Sequence, residues 1–290
     1  MATLAYYPGC SLKTSSKFYE TSIKEVCSFY GIGLKELSDW SCCGASAAHT
    51  VDEMLAHVLA ARNIAMAEAD GNHFFAPCSA CYNRSRITNE KMLKDKELRE
   101  EVNKLISPLQ CLGTIEIKNI IEVFHDYVGI ERIARGIQFD LSAIKVVPYY
   151  GCVLTRIPGV KVFDDVEDPV SMDTLLWAVG TELVKWPFKM ECCGAGKTLT
   201  NKDTTLRLSS KIMDMARTAG ADMVVTSCPL CQMNLDLLPY IGRAEDNLPV
   251  LFLSEVFELA LFGKLGGSGS HIIPVEGVVK KVKEREDTKR

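Results

Sequence analysis

The sequence predicts an α/β protein made of two pseudo-symmetric halves of alternating strands and helices, each gathering cysteines at the carboxyl edge of its strands. Three observations lead there. Short β-rich runs alternate with amphipathic stretches at the spacing of parallel βα units. One cysteine arrangement occurs twice along the chain. The length, 290 residues, is enough for about two ordinary domains.

The elements can be taken in order. Residues 3–7 form a β-rich run ending at Pro8-Gly9, and 15–30 form an amphipathic helix that stops at Gly31. A short strand is expected at 34–37, an Ala- and Met-rich helix at 51–69, and a strand at 73–76 that leads straight into Cys78-Ser79-Ala80-Cys81. The second copy repeats the series with a strand at 144–150, a helix at 169–179, a strand at 182–186, a helix at 203–218 and a strand at 223–226. The cysteines then fall after strands, where such sheets hold their ligands. The expected division is 1–142 and 143–265, followed by 266–290 as a flexible connector, Gly266-Gly267-Ser268-Gly269-Ser270, and a mixed-charge tail.

Composition narrows the function classes. With 47% hydrophobic and 24% charged residues the chain can build a core. Lys+Arg 33 against Asp+Glu 37 leaves no positive surplus for nucleic acid or an anionic membrane surface. The most apolar stretch, 248–263, is interrupted by Pro249, Ser254, Glu255 and Glu258, so no spanning helix is expected. The opening MATLAYYPGC has neither the basic nor the apolar region of an export signal, and a cytoplasmic location is expected.

The 12 cysteines carry the chemistry. Cys10, Cys42, Cys43, Cys78 and Cys81 are matched by Cys152, Cys192, Cys193, Cys228 and Cys231 at offsets of 142, 150, 150, 150 and 150, so the second copy holds an insertion of about eight residues between its first two elements. Tyr7-Pro8-Gly9-Cys10 matches Tyr150-Gly151-Cys152, Ser41-Cys42-Cys43-Gly44 matches Glu191-Cys192-Cys193-Gly194, and Ile121-Glu122-Val123-Phe124 matches Ser254-Glu255-Val256-Phe257. The last pair carries no cysteine and reads as core packing. Disulfides are disfavoured in a reducing compartment. A structural zinc takes four thiolates and would leave one of five over in each half. Adjacent residues, about 3.8 Å apart at Cα, bind two metals of one cluster more easily than one tetrahedral ion. Iron-sulfur ligation is therefore the favoured reading, with zinc as the alternative. Gly9, Gly44, Gly151 and Gly194 adjoin these cysteines and suit close backbone approach, though an ordinary turn would use the same residues.

The patterns C-x31-C-C-G-x33-C-x-x-C and C-x39-C-C-G-x33-C-x-x-C, over about residues 3–262, resemble the duplicated cysteine-rich CCG domain found in the B-type subunits of heterodisulfide reductase from methanogenic archaea. The resemblance implies two non-cubane [4Fe-4S] clusters, the first on Cys10, Cys42, Cys43, Cys78 and Cys81 and the second on Cys152, Cys192, Cys193, Cys228 and Cys231. Cys27 and Cys111 have no counterparts and read as plain core or surface thiols. The implied reaction is reduction of the coenzyme M–coenzyme B disulfide to two thiols, each cluster giving one electron. A related lactate-, glycolate- or fumarate-type oxidoreductase and a non-catalytic zinc scaffold are the alternatives. Arg84 and Asn234 stand where a ferredoxin C-x2-C-x2-C run would place its third cysteine, and no G-x-G-x-x-G is present. Flavin and nicotinamide are therefore not expected in this chain, and electrons should come through a ferredoxin-like iron-sulfur subunit and a flavin-containing subunit of the same complex. The coenzymes carry sulfonate, phosphate and carboxylate groups, which makes Lys13, His49, Arg156 and Lys197, each close in sequence to a ligand, the candidate substrate contacts.

Overall fold

The computed structural model describes residues 2–45, 47–242 and 248–289, with side chains described except at 238–242 and 286–289. The first half runs β1 (Thr3–Tyr6), α1 (Gly9–Lys13), α2 (Lys17–Phe29), β2 (Gly33–Glu36), α3 (Ala48–Val51), α4 (Glu53–Ala69), β3 (Phe74–Phe75), α5 (Ser79–Lys94), α6 (Lys96–Leu105), β4 (Ile117–Lys118), α7 (Ile120–Val123), a π-helical turn (Phe124–Val128) and α8 (Ile130–Gly136). The second runs β5 (Lys145–Tyr149), α9 (Ser171–Ala178), β6 (Glu182–Leu183), a 3-10 turn (Ala195–Lys197), α10 (Lys202–Thr218), β7 (Met223–Thr226), α11 (Pro229–Gly242), β8 (Val250–Phe252), α12 (Leu253–Phe262), a 3-10 turn (Ser268–Ser270) and α13 (Glu276–Lys289).

Each half forms a four-stranded parallel sheet, in the order β2-β1-β3-β4 and β6-β5-β7-β8. The expected α/β class and duplication are present, with the same strand order in both copies. β1 is flanked by β2 on one side and β3 on the other, with Ala5 opposite Lys35 and Phe74. Strand order therefore reverses at β1/β3, and likewise at β5/β7, which opens a crevice at the carboxyl ends of those strands. Leu4, Ala5, Tyr6, Phe74 and Phe75 are fully buried, as expected for parallel strands covered on both faces. Helix starts follow local chemistry: Asp52 and Asn201 accept the Leu55 and Thr204 N–H groups at the heads of α4 and α10.

The halves share a core. One apolar cluster runs through both sheets from Leu4 to Val282, and α2 packs on α12. Tyr19 stacks on Phe252 at 3.8 Å, and Phe124 stacks on Phe257 at 4.5 Å. Phe124 and Phe257 occupy equivalent places in the repeat, so the pseudo-twofold passes between their rings. The glutamates of the same motif also act alike: Glu122 accepts the Asn119 N–H and Glu255 the Phe252 N–H, each closing a helix start.

The 266–270 connector departs from expectation. It is packed: Gly266 N–H donates to Glu258, and a Cβ on Gly267 would lie 2.3 Å from Phe18 Cβ. Gly266 and Gly267 thus allow close approach, whereas a Cβ on Gly269 would meet nothing within 4 Å. Beyond them Val275, Val278 and Val282 are buried, and His271 forms a fully buried ion pair with Glu255 at 2.9 Å. The expected charged tail is thus α13, one side of which joins the core; Arg290 lies outside the described residues. The expected 142/143 division falls in the connection between α8 and β5.

Candidate metal centre

Three loops at the crevice of the first sheet carry the first five cysteines. Cys10 lies in α1 just after β1, Cys42 and Cys43 lie in the loop after β2, and Cys78 and Cys81 lie at the start of α5 after β3. Cys10 Sγ is 3.9 Å from Cys42 Sγ, and Cys43 Sγ is 3.4 Å from Cys81 Sγ. The second set repeats this arrangement on β5, β6 and β7. Cys193 Sγ is 3.5 Å from Cys231 Sγ, and the Cys152 and Cys192 thiols are hydrogen-bonded. Backbone N–H groups aim at both sets: Ala45 donates to Cys43 Sγ at 3.4 Å and Gly194 to Cys192 Sγ at 3.3 Å. The hydrogen bond from Cys152, helped by the Gly194 N–H, pulls the Cys192 thiol down to about 6. Among the described residues, no three His, Cys, Asp or Glu side chains close around one point as ligands of a single ion do; the thiols sit in close pairs.

The donor set suits an iron-sulfur cluster. Thiolates are its ligands, and the backbone leaves room for one. Gly9 has φ +68°, and a Cβ there would lie 3.0 Å from Cys81 Sγ; Gly151, at φ +71°, would place one 3.2 Å from Cys231 Sγ. Both positions need a left-handed backbone and a missing side chain beside a thiol. Cys27 and Cys111 lie apart from the sets, 1% and 0% exposed, and burial pushes each thiol up to about 12. They are core thiols.

The two sets meet at the pseudo-twofold. Cys78 and Cys228, equivalent in the repeat, lie close enough for each thiol to act on the other's ionisation, and Ser79 Oγ lies 3.4 Å from Ser227 Oγ. Between the halves is a cavity of about 330 Å³, lined by all five cysteines of the second set together with Ala45, His49, Ala80, Asn83 and Arg84 from the first half.

The four candidate contacts are not brought together. His49 lines the cavity, and Lys197 is exposed next to Gly196, which also lines it. Lys13 is held by Glu20 at 2.7 Å and Glu36 at 2.8 Å. Arg156 pairs with Glu167 at 2.8 Å in a separate cavity of about 420 Å³ beside Cys152 and Cys192. Local carboxylates claim these two cations.

Two site residues escape a reading of the cysteines alone. Tyr7 O–H donates to Ser41 O at 2.8 Å and Tyr149 O–H to Glu191 O at 2.6 Å, so in each half a tyrosine at or just past the end of the first strand clamps the residue before Cys-Cys-Gly. The counterpart of Tyr7 is thus Tyr149, not Tyr150, whose hydroxyl bonds Asp173. The offset of 142 carried this signal, since it relates Tyr7 to Tyr149.

Comparison with known proteins agrees with this geometry. The cysteine-rich CCG domain model matches residues 4–84 and 146–236. The chain is 31% identical over 263 residues, 89% of this chain and 91% of the other, to the 8-methylmenaquinol:fumarate reductase membrane anchor subunit of Wolinella succinogenes. It is 29% identical, over 90% of each chain, to the B-type subunit of the ferredoxin:CoB-CoM heterodisulfide reductase of Methanosarcina mazei. It is 27% identical, over 98% and 99%, to a protein of Archaeoglobus profundus named as similar to the B-type subunit of heterodisulfide reductase. A hypothetical protein from Helicobacter pylori shares the fold at TM-score 0.78 and 16% identity, covering 94% of this chain, which spans about half (52%) of that one. No described helix is long and apolar enough to cross a membrane. The repeated sheets, the paired cysteine sets and the double match all say the same thing: the chain belongs to the CCG cysteine-rich domain family and carries two copies of that domain.

Proposed function

We propose that the chain is the catalytic subunit of a disulfide reductase, cleaving the coenzyme M–coenzyme B heterodisulfide with electrons from two non-cubane [4Fe-4S] clusters. The observation that carries this reading is the cavity between the halves, walled by all five thiols of the second set and adjoining the first set through Cys78 and Cys228. Cys10, Cys42, Cys43, Cys78 and Cys81 would hold one cluster, and Cys152, Cys192, Cys193, Cys228 and Cys231 the other. Such clusters, one on each set, would together supply the two electrons that an S–S bond needs. The protein's own part is placement. Tyr7 and Tyr149 fix the Cys-Cys-Gly loops, and Asn83 Nδ2 ties α5 to Val153 O at 2.8 Å. His49, with Lys197 beside the opening, is kept as a substrate contact; Lys13 and Arg156 are not. Relatives named as subunits of reductases support a hetero-oligomer; the partners in this reading are a ferredoxin-like iron-sulfur subunit and a flavin-containing subunit, and its location is the cytoplasm. The Wolinella relative favours a second reading, a subunit of a fumarate-type oxidoreductase.

The test is anaerobic turnover of the heterodisulfide with a reduced artificial donor. The reading expects two thiols per disulfide consumed. An iron-loaded protein that releases no thiol from this disulfide refutes it.

A further inference from the structure

The cavity contains a charge that the Cys-Cys-Gly pattern does not account for. Arg84, half-buried on α5 three residues after Cys81, lines the cavity opposite the second cysteine set. Its Nε donates to Ala45 O at 3.0 Å and its Nη2 to His49 Nδ1 at 2.8 Å, and among the described residues no carboxylate pairs with it. A guanidinium has five N–H donors, so most of this fork remains available. Since His49 accepts through Nδ1, its Nε2–H is a further donor. Arg156, Lys13 and Lys189, also near the sets, are each bound to carboxylates within 3.3 Å. Among the described residues that line the cavity, Arg84 is the cation without such a partner; Lys197, exposed beside Gly196, does not line it.

The repeat sharpens the contrast. The residue equivalent to Arg84 is Asn234, which is turned inward: its Nδ2 donates to Cys193 O at 3.2 Å and its Oδ1 accepts from Thr198 at 3.1 Å. The residue equivalent to His49 is Leu199, which is 99% exposed. The two halves are therefore unequal at the crevice. The first supplies the cation, and the second supplies the five thiols that line the cavity. Helix α5 is tied across the boundary by Asn83 to Val153 O and by Arg86 to Lys161 O at 2.6 Å, which sets the Arg84 turn against the second set.

We infer that Arg84, oriented by His49 and Ala45, is the specificity-determining residue of this site: it binds the sulfonate, carboxylate or phosphate of a small anionic substrate and thereby directs the substrate's sulfur to the second cysteine set. The inference rests on the disulfide-reductase reading for its substrate class, but not for the anion preference itself. Planar bidentate recognition of such groups is what arginine does better than lysine. The rival role is internal, holding the Ala45 turn or balancing the charge of the first set, since Cys43 lies near enough to act on the Arg84 charge.

The experiment uses iron-loaded wild type, Arg84→Gln and Arg84→Lys, with iron content measured first. Binding is read by equilibrium dialysis of 2-mercaptoethanesulfonate against 2-mercaptoethanol, two thiols differing only in the charged group. Turnover is read with the heterodisulfide against an uncharged disulfide. Wild type should bind the sulfonate at least about tenfold more tightly than the alcohol, and Arg84→Gln should lose that preference. KM for the heterodisulfide should rise by about the same factor, far more than KM for the uncharged disulfide; Arg84→Lys should fall between. Equal effects on both ligands, a shifted cluster potential without a change in preference, or loss of iron in both variants would overturn the inference by assigning Arg84 the internal role. A wild type that shows the sulfonate preference but reduces no disulfide upholds the anion site and refutes the disulfide-reductase reading instead.

Discussion

Replacing Gly9 by alanine tests whether the thiols need the space that the backbone leaves them, and Gly71 supplies the control. Both glycines are left-handed, at φ +68° and +66°. Alanine in that region costs about 1–2 kcal/mol, small against the roughly 5–15 kcal/mol of a typical domain, so both variants should fold with similar losses. They differ in what the new methyl meets. At Gly71 nothing lies within 4 Å, whereas at Gly9 the methyl would be 3.0 Å from Cys81 Sγ. Comfortable contact is about 3.5–4.0 Å, so Cys81 must retreat by roughly half an ångström or more. If Cys81 holds one of two clusters, Gly9→Ala should carry about half the iron per chain of wild type, while Gly71→Ala carries all of it. Iron per chain, measured beside a denaturant midpoint, decides. Equal iron in the two variants at similar stability would refute the reasoning. Gly151→Ala, with a milder overlap at 3.2 Å, should lose less.

Other outcomes follow from the same structure. Cys43→Ala and Cys193→Ala should each leave a folded chain with about half the iron and no disulfide turnover; full activity in either would refute two-cluster catalysis. Phe257→Ala removes a fully buried ring stacked on Phe124 at the pseudo-twofold, and should cost about 3–5 kcal/mol in urea unfolding; a loss under about 1 kcal/mol would mean that the halves do not depend on this contact. Burial, with Glu25 nearby and partly offset by the Gly266 N–H, raises the Glu258 carboxyl to about 7 from an ordinary 4.5. The folded state therefore holds a proton that the unfolded state releases between those values, so stability present below pH 4.5 falls as pH rises through 7. Glu258→Gln should flatten that part of the stability–pH profile, and an unchanged slope would contradict it.

Much of the fold was legible because its signals are local. Strands β1, β5 and β7 are buried apolar runs stopped by Pro-Gly, Gly or Cys, and they lie within two residues of their expected limits. The expected strand at 182–186 ends at Leu183, and Trp186 leaves the ladder with its indole donating to Pro148 O. β4 and β8 gave no pattern, since two or three residues cannot show alternation. In α13 the charges around Val278 and Val282 hid a spacing of four. Legibility at the site was uneven for a related reason. Cysteine spacing repeats along the chain, and the sets follow it. Whether a cation is free depends on partners distant in sequence, such as Glu36 for Lys13; Arg84 follows Cys81 by three residues just as Lys13 follows Cys10, so nearness to a ligand in sequence does not separate the free cation from the bound one.

The central claim is that each half holds an iron-sulfur cluster on its five cysteines. Protein purified anaerobically can be analysed for iron, acid-labile sulfide and zinc together with its visible absorption spectrum. The account predicts a brown protein with about eight irons and as many sulfides per chain, four for each set. A colourless protein with stoichiometric zinc and no sulfide would contradict it.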